Sequence, residues 1–149
     1  MLFRFIWVGK TRNEPLRALA DDYLARLKRF VRCEITEVRE SPGADSAEES
    51  KRIQAALRAG ATLVLLEVAG REWSSHELAR EVEKWRNESH KEIAFIIGGA
   101  NGVSDELKAQ IAAQWSLSRL TLTHEMARVV VLEQLYRAYT IIHGLPYQK

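Results

Sequence analysis

Three groups of residues in this chain have types and spacings that could do chemistry. The first is Gly98-Gly99-Ala100-Asn101-Gly102, which follows the apolar run 93–97. Glycines let a backbone turn sharply and approach a ligand closely, although they serve a plain tight turn equally well. The loop has neither the G-x-G-x-x-G nor the G-x-x-x-x-G-K-[ST] spacing of the phosphate-binding loops. Ser104 is placed to cap a helix, which puts Asp105 and Glu106 in its first turn. Two carboxylates there would repel a pyrophosphate docking on that helix N-terminus, so the loop suits a ligand without phosphates. The second group is Glu133 and Arg137, four apart on one helix face, where a plain ion pair competes with a functional one. The third is the end of the chain, Tyr147-Gln148-Lys149, beyond Pro146. Tyr147 can stack on a base, Lys149 can meet a phosphate, and Gln148 cannot act as a base near neutral pH. His124 and His143 lie at the two ends of one predicted helix, where helix-end roles compete with catalytic ones.

The elements that must position these groups alternate. A strand over 2–8 ends at Gly9-Lys10, and Asn13-Glu14-Pro15 starts a helix whose apolar spacing runs to Phe30. Val31, Cys33 and Ile35 alternate with Arg32, Glu34 and Thr36, the pattern of a half-exposed edge strand. A short helix over 47–59 stops before Gly60, and an apolar strand over 62–68 leads to a loop at Ala69-Gly70-Arg71. Ser74 and Glu77 match a capping box ahead of a helix with Leu78, Val82 and Trp85 on its buried stripe. The run 93–97 reads as a strand buried on both faces. This βα alternation with short connections predicts one α/β domain over 1–149, a parallel sheet with helices on both faces. Ligands in such sheets bind at the carboxyl ends of the strands. The last third departs from the repeat: a short strand at 115–118, then a long helix over 124–143 that is apolar nearly all round. A helix of that kind is buried on more than one side, and the second side is expected to be another copy of the chain in a two-fold dimer.

Composition narrows the partners. With 46% hydrophobic and 28% charged residues the chain reads as an ordinary soluble protein, and its net charge of +2 does not advertise nucleic acid. Recognition of RNA would need a local patch or a surface supplied by the partner. The single cysteine, Cys33, has no disulfide or metal-ligand companion, which fits a reduced, cytoplasmic setting. No secretory leader and no membrane-spanning run is read in the chain.

Several of these motifs together resemble one family. They are 95–102, Trp115-Ser116-Leu117-Ser118, His124, Arg128, Leu135-Tyr136-Arg137-Ala138, the closing Pro146-Tyr147, and Val8-Gly9-Lys10. The resemblance is to the bacterial large-subunit ribosomal RNA pseudouridine N3-methyltransferases of the SPOUT superfamily, and it covers nearly the whole chain. It implies an α/β fold whose C-terminal part threads a trefoil knot, an exception to the usual rules of chain connection. It implies S-adenosylmethionine as cofactor, a homodimer, and a pseudouridine in ribosomal RNA met on the assembled ribosome. Carried over by position, the cofactor pocket would be Leu66, Gly99 and Ser118, Arg119, Leu120, Thr121, Leu122 and Thr123. Leu66, Leu120 and Leu122 can form the apolar slot that adenine needs. The catalytic side would be Glu133 and Arg137 with the tail Tyr147, Gln148 and Lys149, completed across the dimer. The family's tail reads Pro-Tyr-His before a basic residue, and Gln148 replaces that histidine, which puts any histidine base in doubt. Two other readings compete: a small flavin- or nucleotide-binding α/β protein, and a non-catalytic ribosome-binding module.

Overall fold

The computed structural model describes residues 1–147; Gln148 and Lys149 lie outside the described residues. Five strands form a parallel sheet: β1 (Leu2–Val8), β2 (Arg32–Val38), β3 (Thr62–Glu72), β4 (Glu92–Ile97) and β5 (Ala113–Ser116). Their order across the sheet is β2-β1-β4-β3-β5, so β2 and β5 are the edges and β4 is buried along its whole length. The helices are α1 (Glu14–Leu27), α2 (Ser46–Ala56), α3 (Ser75–Asn87), α4 (Asp105–Ala109) and α5 (His124–Ile142). No helix among the described residues is long and apolar enough to cross a membrane.

Local chemistry explains where the helices begin. Side chains of Asn13, Asp45, Ser104 and Thr123 accept backbone N–H groups in the first turns of α1, α2, α4 and α5. Each satisfies a donor that the helix itself cannot. Ser74 and Glu77 form the expected reciprocal capping box on α3.

The alternation of side chains along β1 divides the core. Phe3, Phe5 and Trp7 point to the face covered by α1, α3 and α5, where Phe95 and Trp85 complete an aromatic cluster. Ile6 and Val8 point to the opposite face, with Ile53 of α2 and Leu107 of α4. On that second face Arg4 is buried, donating to Glu92, Thr36 and the carbonyl of Ala56.

Several boundaries differ from the sequence expectation: β5 spans Ala113–Ser116 where 115–118 is expected, and α1 ends at Leu27, short of Phe30. β3 does not stop at Val68 but runs to Glu72, through the segment expected to be a loop. Its register on β5 shifts between Leu66 and Arg71, and Gly70 presses on the backbone of Gln114, where a Cβ would come within 2.5 Å of the carbonyl oxygen. Gly70 therefore marks a bulge and a close approach inside a strand, not the end of one. α2 ends at Ala56, since Leu57 already has extended backbone angles.

Candidate functional site

The site follows from the order of the strands. From β3 the chain crosses through α3 on one face to reach β4, then returns through α4 on the other face to reach β5, beyond β3. Reversal of this kind leaves a crevice outside the carboxyl ends of the strands. A cleft of about 590 Å³ lies there. Its walls come from Leu66 on β3, the last residue before that strand's register shifts, from Gly99 beyond β4 and from Ser118 beyond β5. Leu120, Thr121, Leu122 and Thr123 close it, followed by His124 and Ala127 on the first turn of α5.

Of the eight residues expected to hold a cofactor, seven line this one cleft. Arg119 does not. Its side chain is 92% exposed and pairs with Glu72 at 3.3 Å. No lysine or arginine lines the cleft among the described residues. Glu67 is the carboxylate in the wall, and Lys108 of α4 holds it at 3.3 Å. Asp105 and Glu106 are exposed on the first turn of α4, as their positions led us to expect.

The Gly-rich loop is a tight turn held from behind. Gly102 N–H donates to the Gly99 carbonyl at 3.0 Å, and Gly102 has φ +72, which favours glycine. A Cβ on Gly98 would lie 2.8 Å from the Gly102 backbone. Asn101 Nδ2 donates to the Ala44 carbonyl, and Ser104 N–H donates to Ser50 Oγ at 2.8 Å. Both contacts tie the loop to the start of α2.

The first turns of α5 reach the other way, to the segment after β1. Glu125 Oε1 accepts the backbone N–H groups of Arg12 and Asn13 at 3.0 and 2.9 Å. Arg128 is fully buried; it donates to Thr11 Oγ1 and the Val8 carbonyl and lies over the Trp7 ring. Burial lowers its pKa to about 10, and its Nε has no hydrogen-bond partner among the described residues.

The second set of expected residues gathers further along α5. Glu133 Oε1 accepts from Arg137 Nη2 at 2.6 Å and from Tyr147 Oη at 2.7 Å. Tyr147 also sits against Tyr136, edge to face, and under the Arg137 guanidinium. The hydrogen bond to Glu133 raises the pKa of Arg137. Burial, then the bonds to Tyr23 and Glu133, push the Tyr147 phenol well above its ordinary value. Tyr147 therefore stays a donor at neutral pH. Gln148 and Lys149 fall outside the described residues.

The chain matches, over residues 1–148, the family model described as "Predicted SPOUT methyltransferase". The chain belongs to the SPOUT methyltransferase family. Family membership also implies the knotted C-terminal part. Among its relatives is a protein of Geobacter metallireducens named ribosomal RNA large subunit methyltransferase H, 42% identical across 99% of this chain and 98% of that one. A protein of the same name from Sorangium cellulosum is 40% identical across 94% of both chains. Two solved structures share the fold. A methylase family protein from Haemophilus influenzae superposes with a TM-score of 0.56 at 14% identity, covering 99% of this chain and 70% of that one. One from Neisseria gonorrhoeae gives 0.55 at 16% identity, covering 90% and 81%. The SPOUT cleft also includes residues that sequence reasoning did not place there. Trp115, Leu117 and His124 enter the sequence reading as family motif residues without a place in the pocket, and Ala127 only as a member of the long helix.

Proposed function

We propose that this SPOUT protein is an S-adenosylmethionine-dependent methyltransferase acting on N3 of a pseudouridine in large-subunit ribosomal RNA. It works as a homodimer on the assembled ribosome. The observation that supports the cofactor most directly is the lining of the cleft. It is mostly apolar and holds no lysine or arginine among the described residues, His124 being its one imidazole, which suits an adenosine joined to a cation better than a phosphate. Leu66, Leu120 and Leu122 would hold the adenine, with the backbone of the loops at Gly99 and 118–123 giving its hydrogen bonds. When bound, S-adenosylmethionine supplies an activated methyl group on a cationic sulfur. The flavin or nucleotide reading has no comparable support, because the first turn of α4 carries two carboxylates where a phosphate would dock.

The residues of the chain then have to align N3 of the base and take its proton. Glu133 is the carboxylate for that proton, Arg137 orients the base by charged hydrogen bonds, and the Tyr147 phenol donates a third. Gln148 can position a base through its amide without accepting a proton. In a single chain these groups are too far from the cleft. Ala127 lines the cleft, and Glu133 and Arg137 lie about 9 and 15 Å further along the helix axis at its ordinary rise. Val130, Glu133, Gln134, Arg137 and Ile141 form a half-buried outer stripe on α5. A two-fold axis crossing that stripe near Val130 exchanges the ends of the helix. The Glu133–Arg137–Tyr147 cluster of one protomer then faces the cleft of its partner.

The test has two parts. Calorimetric titration with S-adenosylmethionine should show saturable binding, and titration with flavin nucleotides should show none. Methyl incorporation should appear on ribosomes from cells lacking the modification. No binding of S-adenosylmethionine would favour the non-catalytic ribosome-binding module, which needs no cofactor pocket.

A further inference from the structure

A buried carboxylate that the proposed chemistry does not use lies behind the Gly-rich loop. Glu49, in the second half of the first turn of α2, is 1% exposed. Its Oε2 accepts the Ser41 N–H at 3.1 Å. Its Oε1 is buried and has no hydrogen-bond partner among the described residues. That oxygen is aimed at Gly99: a Cβ built on Gly99 would lie 2.7 Å from it. Gly99 lines the cleft, so a single glycine backbone separates the carboxylate from whatever the cleft holds.

The carboxylate cannot easily turn away. Ser41 fixes its other oxygen, and the contacts of Ala44 with Asn101 and of Ser50 with Ser104 hold the loop on either side. The α2 N-terminus favours a negative charge at this place. Yet a buried carboxylate oxygen without a partner is costly, and a buried charge is normally paired. No salt bridge to Glu49 exists among the described residues. The direction in which the charge is open is through Gly99, toward the cleft.

We propose that Glu49 is the fixed counter-charge of the cleft. It makes the cleft favour a cationic ligand, S-adenosylmethionine, over S-adenosylhomocysteine, which is uncharged at sulfur. This rests on the reading of the cleft as the S-adenosylmethionine site. The two ligands share their adenosine, ammonium and carboxylate, so any effect of Glu49 on those groups is common to both and the difference between the ligands reports the sulfonium. Such a preference favours exchange of the spent product for fresh cofactor.

The experiment is calorimetric titration of both ligands into the wild type, Glu49→Gln, Glu49→Asp and Ser50→Ala, with thermal midpoints recorded for each. Glu49→Gln keeps the shape and removes the charge. It should weaken S-adenosylmethionine about tenfold, the effect of a unit charge pair a few ångströms apart in a partly screened site, and leave S-adenosylhomocysteine within about twofold. Ser50→Ala loosens the loop without changing charge and should weaken both ligands alike. Glu49→Asp should keep the wild-type ratio of affinities. A Glu49→Gln protein that loses both ligands equally, or neither, overturns the proposal. If Glu49→Gln does not fold, the ratio in Glu49→Asp decides: retained, it supports the counter-charge; collapsed, it overturns it. Failure of the wild type to bind either ligand would instead overturn the underlying reading of the cleft.

Discussion

Gly99 is a glycine because of what stands behind it. The sequence suggests that a side chain there would intrude on the ligand. The structure shows the Cβ direction pointing away from the cleft, to Glu49 Oε1 at 2.7 Å and Val8 Cγ1 at 3.4 Å. Its φ is not in the left-handed region, so an alanine would meet no backbone strain, only lack of space. Gly99→Ala should therefore push the loop toward the cleft. We expect a stability loss of about 1–3 kcal/mol, typical of overpacking, together with weaker S-adenosylmethionine binding. Combining it with Glu49→Ala should recover much of the stability, because the clash is with that side chain. A double-mutant cycle by chemical denaturation measures this coupling, and additive losses would refute the clash. The place of Glu49 was partly legible. It lies four residues before Ile53, on the same face of α2, so helical spacing puts it among buried residues. What spacing could not show is that Oε1 would lack a partner, because that depends on a loop fifty positions away in the chain.

At the scale of elements, the first turns of α5 do two things at once. Thr123, His124 and Ala127 form a wall of the cleft, while Glu125 and Arg128 hold the segment that joins β1 to α1. Glu125→Ala would leave the N–H groups of Arg12 and Asn13 without their acceptor. The expected cost is about 1–3 kcal/mol in chemical denaturation, with a smaller loss for Glu125→Gln, whose amide oxygen can still accept both N–H groups but without the charge. Faster amide exchange at residues 12 and 13, and not elsewhere, would locate the effect. The elements themselves were largely legible, because caps and periodicity are local signals: Asn13, Ser74 and Ser104 cap as their positions suggest, and Thr123 caps α5 without having been read as a cap. β3 was not fully legible. Gly70 and Arg71 look like a loop in sequence, and what keeps this end of β3 in the sheet is the pairing of Arg71 with Trp115 and of Glu72 with Ser116, which local sequence does not show.

For the whole molecule, the governing fact is the distance between the cleft at one end of α5 and the Glu133–Arg137–Tyr147 cluster toward the other. Helical spacing brings Glu133 and Arg137 together, but the sequence reading sends the tail across the dimer, whereas Tyr147 bonds to Glu133 of its own chain. The order β2-β1-β4-β3-β5 was beyond it, because periodicity says that strands exist and not which ones are neighbours. The sequence reads α5 as apolar nearly all round, but in the structure its outer stripe sets Val130 and Ile141 around Glu133, Gln134 and Arg137, half-buried in a single chain. If each active site joins the cleft of one protomer to the cluster of its partner, two different inactive chains should rescue each other. We consider one chain disabled in the cleft by Gly99→Val and another disabled in the cluster by Glu133→Ala. In a mixed dimer, one site combines both defects and the other combines neither. Random pairing of equal amounts makes about half the dimers mixed, each with one of its two sites intact, so activity should return to about a quarter of wild type. Each variant alone should be inactive, and sedimentation should show both as dimers. The readout is methyl incorporation into unmodified ribosomes after the two chains are unfolded, mixed and refolded together. A mixture as inactive as its parts would place the whole site within one chain, and Glu133, Arg137 and Tyr147 would then be a structural latch on the end of α5.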